Sequence, residues 1–498
     1  MRNFRLLPLI LLCAGYSATA QKVTILHTND THSIIDPYYE TKLGGAMRRM
    51  ALIDSVRRAD PNVLLVDAGD AVQGSLYFSE FKGRAERAVM NHLDYDIQIL
   101  GNHEFDNGMD TLAAYLDGIN ATYLSTNYDF SDTPLASRFE PYTIKNVGGK
   151  RIGFFAVNVL PDGLIDPQKI AGVKYLDPVE AANAMSWYLR NVEHVDKVVA
   201  LTHIGYTQDV DLARNTRGID LVIGGHSHTT VAPSDSAKWQ IPDLDGNVVA
   251  VVQTGKYGAN LGEVVIDFDA DDITYRLIPV DHRLDSYGDK ELAAILAPYK
   301  HVVDSINAIP VGRSSAAFSQ NPDMLNWMAD FVLRDAERLG AGKPDLSMVN
   351  VGGIRTNFPK GTISMGVVMQ AFPFDNYEVV LDVPGDALIA TLTNLVAKGG
   401  NGVSRNVEVV FDGDTRDVVS ITLNGRSIDP DKTYRVATIN YLAQGNDGFD
   451  PLKDCRVIAA DNQYLYDAML NAFDSGFLKK KVQRPDSKAR MHPYEQAQ

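Results

Sequence analysis

Val23-Thr-Ile-Leu26 runs directly into His27-Thr-Asn-Asp30-Thr-His32, an apolar β-branched stretch followed at once by a carboxylate and an imidazole two residues apart. The arrangement recurs four times. Val63-Leu-Leu-Val66 leads into Asp67-Ala-Gly-Asp70, and Ile97-Gln-Ile-Leu100 into Gly101-Asn102-His103-Glu104-Phe105-Asp106. Val198-Val-Ala-Leu201 leads into Thr202-His203, and Leu221-Val-Ile223 into Gly225-His226-Ser227-His228. Each apolar run reads as a strand, and in an open α/β sheet ligands bind beyond the carboxyl ends of the strands. Five strand ends therefore deliver Asp, Asn and His to one crevice. Six of the eleven histidines lie in these clusters. That donor set suits divalent ions such as zinc or manganese.

A single histidine is more often a hydrogen-bonded structural residue than a ligand. Independent structural histidines, however, have no reason to gather after four strands, with Asp70 after a fifth. Asp30 and His32 can turn toward one ion, and Asp70, with two oxygens, can bridge two. Asn102 offers an amide oxygen, and His203, His226 and His228 offer ring nitrogens. His27, still at the end of its strand, reads as structural, as do His92, His194, His282, His301 and His492. His103 follows Asn102 but is not read as a ligand, and Asp106, three residues on, is placed to hold its tautomer. The bland alternative for Asp106 is a turn cap before Gly108.

At 498 residues the chain predicts two domains. Its net charge of −16 argues against nucleic-acid polymers and anionic membrane surfaces as partners. Residues 1–20 read as a secretory signal, with Arg2 and Arg5, the apolar run Leu6 to Ala14, and Ala18-Thr19-Ala20 before the cut. A periplasmic or extracellular location follows; Leu11-Leu12 before Cys13 disfavours a lipoprotein, and no later segment is apolar enough to span a bilayer. Cys455 is then the only remaining cysteine, read as a buried small hydrophobe.

Alternating strand and helix patterns over 21–286 predict an α/β region with a largely parallel, two-sided sheet. The runs Val249 to Val252 and Gly262 to Val280 read as an added antiparallel edge. In 287–308, Leu292, Ile295, Leu296, Tyr299, Val302, Val303 and Ile306 mark one helix face, with a kink or break expected at Pro298. A second region, 309–486, mixes helices with hairpin signals such as Asn424-Gly425. The polar tail, 487–498, reads as frayed.

The series Asp-x-His, Gly-Asp, Gly-Asn-His-Glu, Thr-His and Gly-His-Ser-His resembles the calcineurin-like metallophosphoesterase superfamily. Ile25-Leu-His-Thr-Asn-Asp-Thr-His32 and Gly101-Asn-His-Glu-Phe-Asp106 are similar to its secreted 5′-nucleotidase/UDP-sugar hydrolase branch. Asn350-Val-Gly-Gly-Ile-Arg355, Pro373-Phe-Asp-Asn376 and Asn440-Tyr-Leu-Ala-Gln-Gly-Asn-Asp-Gly448 extend the likeness over nearly the whole chain. It implies an αββα catalytic sandwich joined by a helix to an α+β substrate-binding domain. One ion would fall to Asp30, His32, Asp70 and His228, the other to Asp70, Asn102, His203 and His226. Attack by a hydroxide bridging the two ions would release phosphate, with His103 and Asp106 as the acid pair.

In the second domain Asn350, Gly353 and Arg355 belong to the implied substrate loop, and Arg355 offers a planar, permanently charged fork for phosphate. Phe374 and Tyr441 resemble a pair of rings that sandwich a base, and Asp447 would anchor a ribose hydroxyl. One departure stands out: Ala316-Ala-Phe-Ser-Gln-Asn-Pro-Asp323 carries none of the arginines common there in relatives, Arg313 being the nearest. The expected activity is hydrolysis of nucleoside 5′-monophosphates. Alternatives are 2′,3′-cyclic nucleotides or UDP-sugars at the same site, a non-catalytic nucleotide-binding protein, and a sulfur-ester hydrolase.

Overall fold

The computed structural model describes residues 21–38 and 40–494; the segment read as a secretory signal lies outside them. The first half folds as two six-stranded sheets laid face to face. In the first sheet, Lys22–Thr28, Val63–Asp67, Ile97–Ile99 and Thr122–Leu124 run parallel. Asn260–Asp267 and Asp272–Pro279 add an antiparallel edge beside Lys22–Thr28. In the second sheet, Lys150–Asn158, Lys197–His203, Leu221–Ile223 and Val248–Val252 run parallel, flanked by antiparallel Tyr142–Val147 and Gln240–Pro242.

The single two-sided sheet read from the strand–helix alternation is therefore two sheets, the αββα sandwich that the family resemblance implied. Each parallel strand still has two buried faces, so its sequence is largely apolar instead of alternating. Ile152, Phe154 and Ala156 point into the layer between the sheets, with Val23, Ile25, Val199 and Ile223. Their neighbours Phe155 and Val157 point outward under Ala182, Leu189 and Leu212. The expected antiparallel edge is present for the strands after Asn260, but Val248–Val252 sits inside its sheet, parallel to Leu221–Ile223.

Asp289 caps the connecting helix Lys290–Asn307, its side chain accepting the Leu292 N–H at 2.8 Å. Of the kink or break expected at Pro298, the break is absent: the helix is continuous through it. Leu292, Leu296 and Val303 bury that face against the catalytic half.

The second domain gathers one core around Leu346–Val349, Thr433–Ile439 and Glu378–Pro384. Asn424 and Gly425 both take positive φ, 53° and 74°, and turn Val418–Leu423 back onto Arg426–Ser427 as their sequence predicts. Cys455 is half-buried against this core. The tail departs from expectation. Met491–Pro493 pairs in parallel with Val407–Phe411, and buried Arg490 bonds Asp330 and the Val403 carbonyl. A polar sequence signals exposure, but here one arginine supplies the anchor.

Candidate active site

The parallel strands of both sheets end at one place. Asp30 and His32 follow Lys22–Thr28, Asp70 follows Val63–Asp67, and Asn102 and His103 follow Ile97–Ile99. His203 closes Lys197–His203, and His226 and His228 follow Leu221–Ile223. Asp30 lies with His32 and His228, and Asp70 with His203 and His226, each set close enough to share an ion. The Asn102 amide oxygen sits 2.9 Å from His226 Nδ1. All seven residues read from the sequence as ligands are thus brought together.

Close approach demands glycine here: a Cβ on Gly101 would fall 2.1 Å from Asp70 Oδ1, and one on Gly225 2.7 Å from His203 Nδ1. Five of the seven side chains are presented from left-handed backbone: Asp30 (φ 50°), His32 (47°), Asp70 (54°), His226 (75°) and His228 (56°). Such conformations cost about 1–3 kcal/mol each outside glycine and persist only where the surroundings impose them. Glu104 braces that of Asp70 and the turns on either side, its carboxylate accepting the N–H groups of Asp70 (3.2 Å), Ala71 (2.9 Å) and Gly101 (2.5 Å). Asn29 donates to Asp30 at 2.6 Å and to the Gly255 carbonyl at 2.8 Å. The sequence reading missed both braces, although Glu104 stood inside a quoted motif.

The donors suit metal ions. His203 Nε2 is buried without a hydrogen bond, 3.1 Å from Asp70 Oδ2, and the Nε2 atoms of His32 and His228 face each other at 2.9 Å. Burial works against charging His203, yet Asp70 lifts it to about 10. Burial, then Arg355, holds His32 well below its ordinary value, and burial, then His203, lowers His226 to about 4. Both rings are thereby neutral, the form that ligates. Burial pushes the Asp70 carboxyl up, but His203 and His103 outweigh it and hold it well below the carboxylate range.

His103 falls in a further group with His32 and Asp70. Its Nδ1 is taken by Asp106 Oδ2 at 2.7 Å, and its Nε2 lies 3.5 Å from an Arg355 nitrogen. Burial lowers this ring's affinity for a proton, but Asp106 and Asp70 together raise it. His27 behaves as read: it is fully buried beside Tyr275, and burial lowers it to about 3. Gly262 on the paired strand leaves room for its ring.

A cavity of about 230 Å³ opens above these residues between the two domains. Asp70, Asn102, His103, Asp106, His226 and His228 line one side. Asn350, Gly353, Arg355, Phe374, Tyr441 and Asp447, all read from the sequence as substrate residues, line the other. Arg355 stands 3.5 Å from His32 Nδ1, with its guanidinium 5.6 Å from the Phe374 ring centre and its Nε buried and unpaired. Phe374 leans on His103 at 5.8 Å between ring centres. Asn350 donates to Asp447 at 2.6 Å, and a Cβ on Gly353 would fall 2.9 Å from the Asn350 amide oxygen. Arg313 lines a different cavity, beside Lys481 and Phe473. In the arginine-free stretch, Gln320 instead donates to the Ile354 carbonyl at 2.7 Å, bracing the loop that carries Arg355. Lys169 also lines the cleft, a residue without motif context in the sequence.

Residues 23–230 match the family of calcineurin-like phosphoesterases, and residues 305–454 match the C-terminal domain of 5′-nucleotidases. The chain is 30% identical over 487 residues to the trifunctional nucleotide phosphoesterase protein of Bacillus subtilis, covering 86% of this chain but 32% of that relative. It is 28% identical over 494 residues to the human 5′-nucleotidase, covering 88% and 86% respectively. The crystal structure of a Thermus thermophilus 5′-nucleotidase precursor superposes with a TM-score of 0.85 at 29% identity, covering 96% of this chain and all of that one. The two-domain architecture, the converging donors and these likenesses agree: the chain belongs to the 5′-nucleotidase family of calcineurin-like metallophosphoesterases and is a metal-dependent hydrolase.

Proposed function

We propose that the chain hydrolyses nucleoside 5′-monophosphates to nucleoside and phosphate in the cleft between its domains. One observation carries this reading. Arg355 of the second domain reaches 3.5 Å from both His32 and His103 of the first, while Phe374, Tyr441 and Asp447 extend the same cavity away from them. The cleft thus has an anion end over the metal donors and an aromatic, polar end for a nucleoside.

Asp30, His32, Asp70 and His228 would hold one divalent ion, and Asp70, Asn102, His203 and His226 the other, zinc or manganese by the donor set. When bound, such a pair supplies an acidified water as nucleophile and neutralises charge on the phosphoryl oxygens. Arg355 orients the phosphoryl group with its planar fork. His103 carries a proton on the nitrogen facing the cavity and delivers it to the leaving oxygen, while Asp106 on Nδ1 fixes the ring. Phe374 and Tyr441 offer faces to the base, and Asp447, steadied by Asn350, offers a carboxylate to a ribose hydroxyl. Residues 1–20 direct the chain to the periplasm or the outside of the cell in this reading.

A second reading, hydrolysis of 2′,3′-cyclic nucleotides or UDP-sugars, draws on the absence of any cation from Ala316–Asp323 in the cleft. A wider range of phosphoesters also matches the trifunctional nucleotide phosphoesterase activity named for the Bacillus relative. Assay of AMP, 2′,3′-cyclic AMP and UDP-glucose with manganese separates the two. AMP should show the highest kcat/KM; a preference for either other substrate would install the second reading, and no turnover of any would remove both.

A further inference from the structure

The segment 161–172 leaves the catalytic domain and touches both ends of the cleft. Its Gly163 carbonyl accepts the Asp447 N–H at 3.4 Å, and its Leu164 carbonyl accepts the Tyr441 hydroxyl at 3.2 Å. Both donors belong to the nucleoside end of the second domain. Five residues on, half-buried Lys169 donates through its ammonium to the carbonyl of Asp106, the partner of His103. Ile165 and Ile170 pack in one buried cluster with Phe105, which lies between those two residues in the chain. Lys169 and Arg355 are the cations lining the cleft, and only Arg355 is turned to the metal donors.

We propose that Lys169 is a positioning residue that couples nucleoside docking to the acid pair, with the Tyr441 hydroxyl as the other end of the coupling. This rests on the nucleotide reading above. Closure of the second domain delivers Tyr441 and Asp447 to the Gly163 and Leu164 carbonyls, which fixes segment 161–172. Fixing the segment fixes Lys169, and Lys169 holds the turn that places Asp106 against His103 Nδ1. A ring that only stacked on a base would need no hydroxyl; one that latches the domains does. Lys169 thereby acts through Asp106 without touching the substrate.

The test uses the full, manganese-loaded chain with AMP and four variants: Lys169→Met, Lys169→Arg, Tyr441→Phe, and the Lys169→Met/Tyr441→Phe double. Lys169→Met should lower kcat about tenfold with KM changed less than about twofold, the pattern of lost transition-state positioning. Lys169→Arg should recover most of kcat, and Tyr441→Phe should lower kcat by roughly threefold. The double variant should be no slower than Lys169→Met, because coupled groups are not additive. Wild-type kcat in Lys169→Met, losses that multiply in the double, or a fall in kcat matched by a fall in Tm and unrescued by arginine would each overturn the proposal. Multiplying losses with AMP turnover intact would leave the nucleotide reading standing. A wild-type chain that cleaves p-nitrophenyl phosphate but no nucleotide would overturn both.

Discussion

The two walls of the cleft are built on opposite principles. On the catalytic wall, Asp30, His32, Asp70 and His203 are at most 1% exposed, and five of the seven donors sit on left-handed backbone. Across the cleft, Arg355, Phe374, Tyr441 and Asp447 are all half-buried, and among the substrate residues only Asp447 has positive φ, at 58°. The first wall is held by a network of N–H donors to Glu104, Asp30 and Asp70. The second is held by bonds spread over separate loops: Gln320 to the Ile354 carbonyl, Asn350 to Asp447, Asn446 to the Tyr441 carbonyl, and Tyr441 and Asp447 to the carbonyls of Leu164 and Gly163. Strain and burial fix the donors before any substrate arrives, as electrostatic preorganisation requires.

The contrast predicts where damage is greatest. Asp70→Ala removes the carboxylate both donor sets share, and kcat should fall on the order of 10⁴-fold with loss of bound metal, read by elemental analysis. Arg355→Lys on the facing wall keeps the charge but loses the fork, so kcat/KM should fall roughly 10²-fold with metal content unchanged. Metal loss in that variant would erase the distinction between the walls.

A buried carboxyl outside the cleft makes the stability of the catalytic domain depend on pH. Glu86 is buried in the helix Arg84–His92, and burial pushes its carboxyl up to about 7 from 4.5. The unfolded chain ionises near 4.5 while the fold holds the proton until about 7. Stability therefore falls as pH rises across that window, by roughly 3 kcal/mol at most from this group. Glu86→Gln should flatten that part of the profile and be the more stable protein at pH 8, seen in urea unfolding at pH 4.5 and 8. The smallest effect belongs to the substrate wall: Phe374→Ala should raise KM for AMP by about fivefold, the low end of the worth of one stacked base. An effect on kcat alone would assign the ring to positioning His103 instead.

The strand ends were legible because their two-sided burial writes uninterrupted apolar runs, and because polar residues directly after such runs have few structural uses. The division into two sheets was legible only through the family resemblance, which implied an αββα sandwich, and not from the strand pattern itself. Parallel strands facing a second sheet and parallel strands facing a helix layer have the same apolar pattern. All seven donors and all six substrate residues meet at the cleft, yet Glu104, Asn29 and Lys169 escaped notice. Their work is to hold backbone carbonyls and N–H groups, which any polar side chain can do and no spacing announces. The tail was misjudged for the same reason, since Arg490 is visible as an anchor only once Asp330 is beside it.

The central claim, a cleft whose catalytic wall works through a metal pair, is tested most directly by titrating manganese into metal-free chain. Bound metal and phosphate release from AMP are measured on the same samples. Turnover should rise with added metal and level off at two ions per chain. Full turnover at one ion, or turnover in the metal-free chain, would contradict it.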